Sequence, residues 1–307
     1  MNINMYNYFY NNLVDLNNAI NSRWPQSDDR VSNGYDKPLP LSLRLPNEVW
    51  KVIFSGANFK ELRNCSLVDK KWNQLTNDPM LVKKMIYEEY CFNPSHWNEF
   101  CGVGTVLDDE IAKAYASLPK DIREILKSDY NGQKVIDTHM LVWIPETIKG
   151  KPITIDNFGA LLKAKPEFCY NATGYRVIWD EIVQQEGSKL VKSGWVLMTT
   201  DVISGSRKKS FAEQKLLVES LNKNGQTGYR VPKTAEAIIC IAAQYLRSKE
   251  SKKRLFSDEP WTFTRCQENV QGLQTMVGGF APSGLSVWFT RNDDRYGAIG
   301  VAGLREF

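Results

Sequence analysis

The sequence predicts an α+β protein in which a small all-helical module precedes a larger domain of mixed helices and strands. Three observations carry that expectation. From residue 43 to about 90, helix start and stop signals recur so closely that several short helices must follow one another. After residue 138, short runs rich in β-branched and aromatic residues, bounded by Gly, Pro, Asp or Asn, read as strands. Between those runs, longer segments return to helical periodicity.

Taken in order, Leu13, Leu16 and Ile20 fall at helical spacing, and residues 25–40 run through Ser, Asp, Gly and Pro. Residues 1–41 therefore read as a leading helix and linker. Residues 42–92 form the helical module. Its first helix opens at Pro46, which has no N–H to leave unpaired, and carries Val49, Val52 and Ile53 on one face until Gly56. Asn58 caps the next, with Glu61 in the capping-box position and Leu62, Cys65, Leu67 and Val68 on the apolar side. Residues 70–75 add Trp72. Asp78-Pro79 then pairs a capping acid with a first-turn proline ahead of Leu81, Val82, Met85 and Ile86.

Residues 93–132 read as a helical linker, with two helices between 107 and 128 divided at Ser117-Leu118-Pro119 and with Ile122, Ile125 and Leu126 facing inward. The domain at 133–307 shows strand candidates at 138–144, 175–179, 195–199, 261–265, 273–277 and 285–289. Helices are expected at 157–163, 211–221 and 234–247, the last with Ile238, Ile241, Ala242 and Tyr245 on one face. The alternation leaves parallel pairing open.

Hydrophobic residues make up 42% and charged residues 24%, a globular balance rather than a disordered one. The formal charge of +4 comes from 39 basic against 35 acidic side chains, too small an excess to imply nucleic acid. Arg207-Lys208-Lys209 and the basic run at 249–254 read as solvated loop or helix ends. Six cysteines, at 65, 91, 101, 169, 240 and 266, form no dense framework and fit a reducing cytosol. No uncharged apolar run approaches the roughly 18 residues that cross a bilayer, and the N-terminus lacks a secretory pattern. A soluble, cytoplasmic chain with no membrane partner is expected.

Catalytic chemistry would need a nucleophile and a base. His139 could meet Cys169, Cys240 or Cys266 in space, the minimum for a thiol enzyme, but no local signature supports it, and an unrelated histidine is the plainer reading. Cys91, His96 and Cys101 supply three zinc-type ligands where a closed site wants four, so no metal is expected. Gly297-Ala298-Ile299-Gly300-Val301-Ala302-Gly303 has no following helix to hold a phosphate and reads as a closing strand with tight backbone contacts; no cofactor is expected. Asp293-Asp294, between two strand candidates, is hairpin chemistry first. Trp179, Trp195, Trp261 and Trp288 each sit in a strand-like run, where core packing is the default and a recognition surface the alternative.

Leu45-Pro46-Asn47-Glu48-Val49, then Ile53-Phe54, Leu62, Leu67-Val68-Asp69-Lys70-Lys71-Trp72, Leu75 and Asp78-Pro79-Met80-Leu81, resemble the F-box family in both spacing and residue type. The resemblance implies a compact helical module that binds a Skp-type adaptor and, through it, a cullin scaffold and RING subunit. The rest of the chain would select a protein target; the alternatives are an enzyme of unknown reaction that the module localises, or a decoy that blocks the adaptor. It also implies adaptor-binding roles for Leu45, Pro46, Val49, Ile53, Leu62, Val68, Trp72 and Leu81. The sequence departs from the pattern at Ala57, Asp69 and Val82, where leucine, cysteine and tryptophan are common. The segments 193–199 and 276–285 are similar to F-box proteins of intracellular bacteria related to chlamydiae, which implies delivery into a eukaryotic host cytosol.

Overall fold

The computed structural model describes residues 78–164, 171–223, 228–247, 256, 261–281 and 284–307. The chain divides into two units, Met1–Pro46 and Asn47–Phe307, and every described residue belongs to the second. The helices expected before residue 78, and the basic run at 249–254, lie outside the described residues.

The described chain opens as its sequence signals dictate. Asp78 accepts hydrogen bonds from the backbone N–H groups of Met80 and Leu81, at 3.0 and 3.3 Å, and Pro79 takes the first position of α1 (Pro79–Met85). A π-helical turn, Ile86–Tyr90, continues it. Asn93-Pro94 repeats the same start signal for α2 (Pro94–Cys101). The pair expected between 107 and 128 appears as α3 (Asp108–Ser117) and α4 (Ile122–Lys127), broken at Leu118 and Pro119. A small ribbon, β1 (Asp129–Tyr130) with β2 (Gln133–Lys134), and one turn of helix, α5 (Val135–Thr138), lead into β3 (His139–Ile144).

There follow the ribbon β4 (Thr147–Ile148) with β5 (Lys151–Pro152), α6 (Ile155–Lys163), β6 (Val177–Ile178), α7 (Asp180–Glu186), β7 (Gly194–Thr199) and α8 (Phe211–Lys223). Next come β8 (Tyr229–Arg230), α9 (Thr234–Arg247), β9 (Phe263–Val270), β10 (Leu273–Ala281), β11 (Gly284–Thr290), β12 (Ile299–Gly300) and β13 (Leu304–Glu306). The mixed α+β class stands, and each of the six strand candidates contains or overlaps a strand.

Two sheets organise these elements, one ordered β3-β7-β13-β8 and the other β12-β9-β10-β11-β6. The first is antiparallel throughout; in the second, only the short edge strands β6 and β12 run parallel to their neighbours. Among the described residues, parallel pairing, left open by the alternation of helix and strand, is confined to these edges and to a bridge from Phe92 to Val142.

The four-stranded sheet is buried on both faces. Met140, Val142, Val196 and Met198 face one apolar cluster, while Leu141, Trp143, Trp195 and Leu197 face a second. This two-sided burial accounts for the unbroken apolar run at 140–144, because alternate residues reach opposite faces and both faces are dry. On the second side lie Ile86 and Tyr87, Ala114 of α3, Leu118 at the break, Ile122 and Leu126 of α4, and Val218 and Leu221 of α8. On the first side lies α9, whose buried residues run without interruption from Glu236 to Ala243. A helix apolar on nearly all sides must be covered on nearly all sides, and α9 packs against β3 of one sheet and β9 and β10 of the other.

The glycine-rich tail is the seam between the sheets. Ile299 and Gly300 pair with β9, and four residues later Leu304–Glu306 pairs with β7 and β8. A Cβ at Gly300 would stand 2.6 Å from that of Val202, so the tight contacts expected of this segment are present. The hairpin expected at Asp293-Asp294 is not. The chain leaves β11 at Thr290 and joins the sheet again beside β9, two strands away. Asp294 instead receives the hydroxyl of Thr290 and the backbone N–H of Arg291, while its carbonyl accepts from the fully buried guanidinium of Arg265 at 2.6 Å.

Candidate functional site

The described end of the helical module is built into the core of the α+β domain. Tyr87 packs edge-on against Trp195, with ring centroids 6.0 Å apart, and its hydroxyl donates to the carbonyl of Ile111. Arg247, in the last turn of α9, donates to the carbonyls of Glu89 and Tyr90, the C-terminal groups that a π-helical turn leaves without partners. The Tyr90 hydroxyl donates to the carbonyl of His139 at 2.6 Å. Phe92 then exchanges backbone bonds of 2.8 Å with Leu141 and Trp143 alongside β3. Leu81 is 6% exposed, whereas Leu45, Pro46, Val49, Ile53, Leu62, Val68 and Trp72 lie outside the described residues.

The thiol-enzyme arrangement does not assemble among the described residues. His139 is 3% exposed, its Nε2 lies 2.9 Å from the hydroxyl of Tyr229, and its Nδ1 lies 2.9 Å from that of Thr138. Neither ring nitrogen meets sulfur. Burial pushes the thiols of Cys240 and Cys266 up, away from the thiolate a nucleophile needs, and Cys169 lies outside the described residues. His96 serves structure: its Nδ1 accepts from the N–H of Asn93 while Asn93 caps α2. Among the described residues, no group of three or more His, Cys, Asp or Glu is placed to hold a metal ion.

Of the clefts on this domain, two hold charged groups that are already paired within the chain. One, of about 360 Å³, is lined by Phe211, Lys215, Val218, Tyr229 and Arg230 among others. Arg230 there is held by Glu236 and Glu306. The other, of about 230 Å³, contains Glu186, Lys189, Thr234 and Glu268. Glu186 pairs with Lys189 at 2.7 Å, and Glu268 accepts from the N–H and hydroxyl of Thr234 at 2.8 and 2.7 Å. Burial raises the Glu268 carboxyl, opposed by those two bonds. It closes the N-terminus of α9.

His139 sets a pH dependence. Burial lowers its pKa from 6.5 to about 4, because the imidazolium would lose its hydration inside the domain. Between those values the unfolded chain binds a proton that the folded chain does not, so stability is full above about pH 6.5 and falls as the pH drops towards 4. The whole window is worth ~3 kcal/mol, of which ~2 kcal/mol is lost by pH 5. Urea unfolding at pH 7.5 and 5.0 should show that loss in the native chain and a smaller one in His139→Gln.

The tryptophans divide by face. Trp97, Trp143 and Trp195 are at most 2% exposed, and each indole N–H is spent inside: on the carbonyl of Trp143, on Glu110, and on the carbonyl of Ala114. Trp179, Trp261 and Trp288 are 40, 39 and 37% exposed and belong to the margins of the five-stranded sheet. In β11, Leu285 and Val287 turn to the core, which sends Ser286 and Trp288 to the other face. Trp179 immediately follows β6 at the N-terminal boundary of α7, and its ring lies 6.0 Å from Trp288 and 4.8 Å from Phe289. The core default therefore holds for Trp195 and fails for the other three.

Comparison with known proteins places the family signal where these helices begin. An F-box-like family model matches residues 42–88, so the chain carries an F-box-like domain there. The match ends within the π-helical turn, among residues that pack into the α+β core. No curated protein and no solved structure matches the chain. Among the described residues, no helix is long and apolar enough to cross a membrane.

Proposed function

We propose that this protein is a substrate adaptor of an SCF-type cullin–RING ubiquitin ligase. The F-box-like domain at 42–88 carries this reading. It would dock on a Skp-type adaptor and so reach the cullin, while the α+β domain holds a protein target near the ubiquitin-conjugating enzyme. Proximity raises the target's effective concentration there, and no residue of this chain performs bond chemistry. Leu45, Pro46, Val49, Ile53, Leu62, Val68 and Trp72 are assigned to the adaptor contact. Leu81, buried in its own chain, acts by positioning α1.

The packing of Tyr87 and the Arg247 bonds support the reading from the mechanical side, since a target held by the domain keeps a fixed relation to the end of the docking segment. The resemblance of 193–199 and 276–285 to proteins of intracellular bacteria supports a host cytosol as the place of action. Co-expression of the full chain with a Skp-type adaptor should yield a complex that survives gel filtration. The Leu45→Ala/Pro46→Ala chain should lose affinity by roughly 30-fold or more, as truncating two apolar anchors does. If the native chain and adaptor elute apart, the reading is wrong.

A further inference from the structure

We propose that Trp179 and Trp288, with Phe289 behind them and Asp180 and Glu181 beside them, dock an extended segment of the protein target that presents arginine or lysine side chains. This inference rests on the substrate-adaptor reading and names the surface and chemistry by which the target would be held. Large aromatic rings left more than a third exposed on one sheet face are costly to hydrate and mark interaction surfaces when they adjoin. Trp179 and Trp288 adjoin at 6.0 Å in an edge-to-face arrangement. Trp288 lies on the face of β11 opposite the core and Trp179 in the turn that follows β6, and neither belongs to the buried core clusters.

The charge of the partner follows from what this margin already does and what it lacks. Arg176 lies over the ring of Trp261, 4.6 Å from its centroid, so one of the three exposed indoles is covered by a guanidinium of its own chain. Among the described residues no cation covers Trp179 or Trp288. The π-face of an indole attracts cations. Asp180, exposed, and Glu181, half-buried, follow Trp179 directly, and among the described residues neither joins an ion pair. Negative charge beside open indoles favours a cationic visitor and disfavours an acidic one.

The strand pattern supplies the shape of the visitor. β6 pairs with β11 only at Ser286 and Val287, whereas β11 runs on to Thr290. Past that point, among the described residues, no strand lies on that side of Trp288, Phe289 and Thr290. Trp179 and α7 carry the chain on from β6 at that point, so an extended segment would lie across the exposed rings of Trp179 and Trp288, with alternate side chains reaching the indoles.

The test uses the full chain and two sets of synthetic ten-residue peptides, one alternating Arg or Lys with Val or Thr, the other with Asp or Glu in place of the basic residues. Fluorescence anisotropy should show the basic set binding at least tenfold more tightly than the acidic set, with affinity falling as salt rises. Trp288→Ala, Trp179→Ala and the double variant Asp180→Asn/Glu181→Gln should each weaken the basic peptides, the tryptophan variants by about tenfold, while circular dichroism and adaptor association stay as in the native chain. Equal binding of both sets, or basic binding untouched by all three variants, overturns the proposal. So does concentration-dependent self-association that vanishes in Trp288→Ala, which would make a second copy the occupant. Loss of adaptor association in the native chain with peptide binding intact would sink the ligase reading alone.

Discussion

Glu236→Ala is expected to lower the unfolding free energy by about 3 kcal/mol, the lower end of what breaking a buried pair costs. The Glu236 side chain is 1% exposed at the first turn of α9. It receives both terminal nitrogens of Arg230, at 2.8 and 2.7 Å, and the backbone N–H of Lys233 at 2.8 Å. Arg230 also reaches Glu306 of β13, so one carboxylate ties the central helix to the edge of the four-stranded sheet. Removing it takes two charge-assisted bonds from a partly buried guanidinium, which is left with Glu306, and strands an N–H at a helix start. The Arg230 side chain is 26% exposed, which lets water recover part of the loss and sets the lower figure. Urea denaturation checks the value. Arg230→Met/Glu236→Leu should be less destabilised than Glu236→Ala, because it leaves no charge without a partner.

Gly174→Ala is expected to cost about 3 kcal/mol or more, a fall of roughly 6–12 °C in Tm for a domain of this size. Gly174 has φ of +81°, where a Cβ is strained, and that Cβ would stand 1.8 Å from the carbonyl oxygen of Gly159 in α6. The approach is reciprocal: a Cβ at Gly159 would lie 2.5 Å from the carbonyl of Thr173 and 2.7 Å from the ring of Tyr175. Bare backbones meet here so that Tyr175, 2% exposed, can enter the core and donate its hydroxyl to Ile155 at 2.7 Å. Gly205→Ala is the control. Its φ of +75° carries the same strain, but nothing lies within 4 Å of the added carbon, so it should cost only ~1 kcal/mol. If both variants melt alike, the close approach of α6 is not what Gly174 serves.

Much of the fold was legible. Asp78-Pro79 and Ser117-Leu118-Pro119 announced their helix boundaries through capping and breaking chemistry that depends only on neighbouring residues. The strand runs were legible through β-branched and aromatic enrichment, and α9 through an apolar stretch long enough to fix its period. Three short helices were missed. Asn93-Pro94 is a readable start signal for α2, set among the ligand types at Cys91, His96 and Cys101. By contrast, α5 and α7 are short and lack a side-chain cap, so little local signal marked them. The strand read at 175–179 shrank to Val177–Ile178 because Tyr175 is drawn into the core and Trp179 begins a helix.

By itself the sequence determined the F-box-like segment, the α+β class and the residues on each helical or strand face, because these follow from order and spacing along the chain. Only the tertiary structure decided which faces are dry. Trp195 and Trp288 sit in runs of the same character, yet one meets the helices over the four-stranded sheet and the other meets solvent beside Trp179. A period of two says that alternate residues share a face. It carries no information about whether a second layer, brought from a hundred residues away, will cover that face.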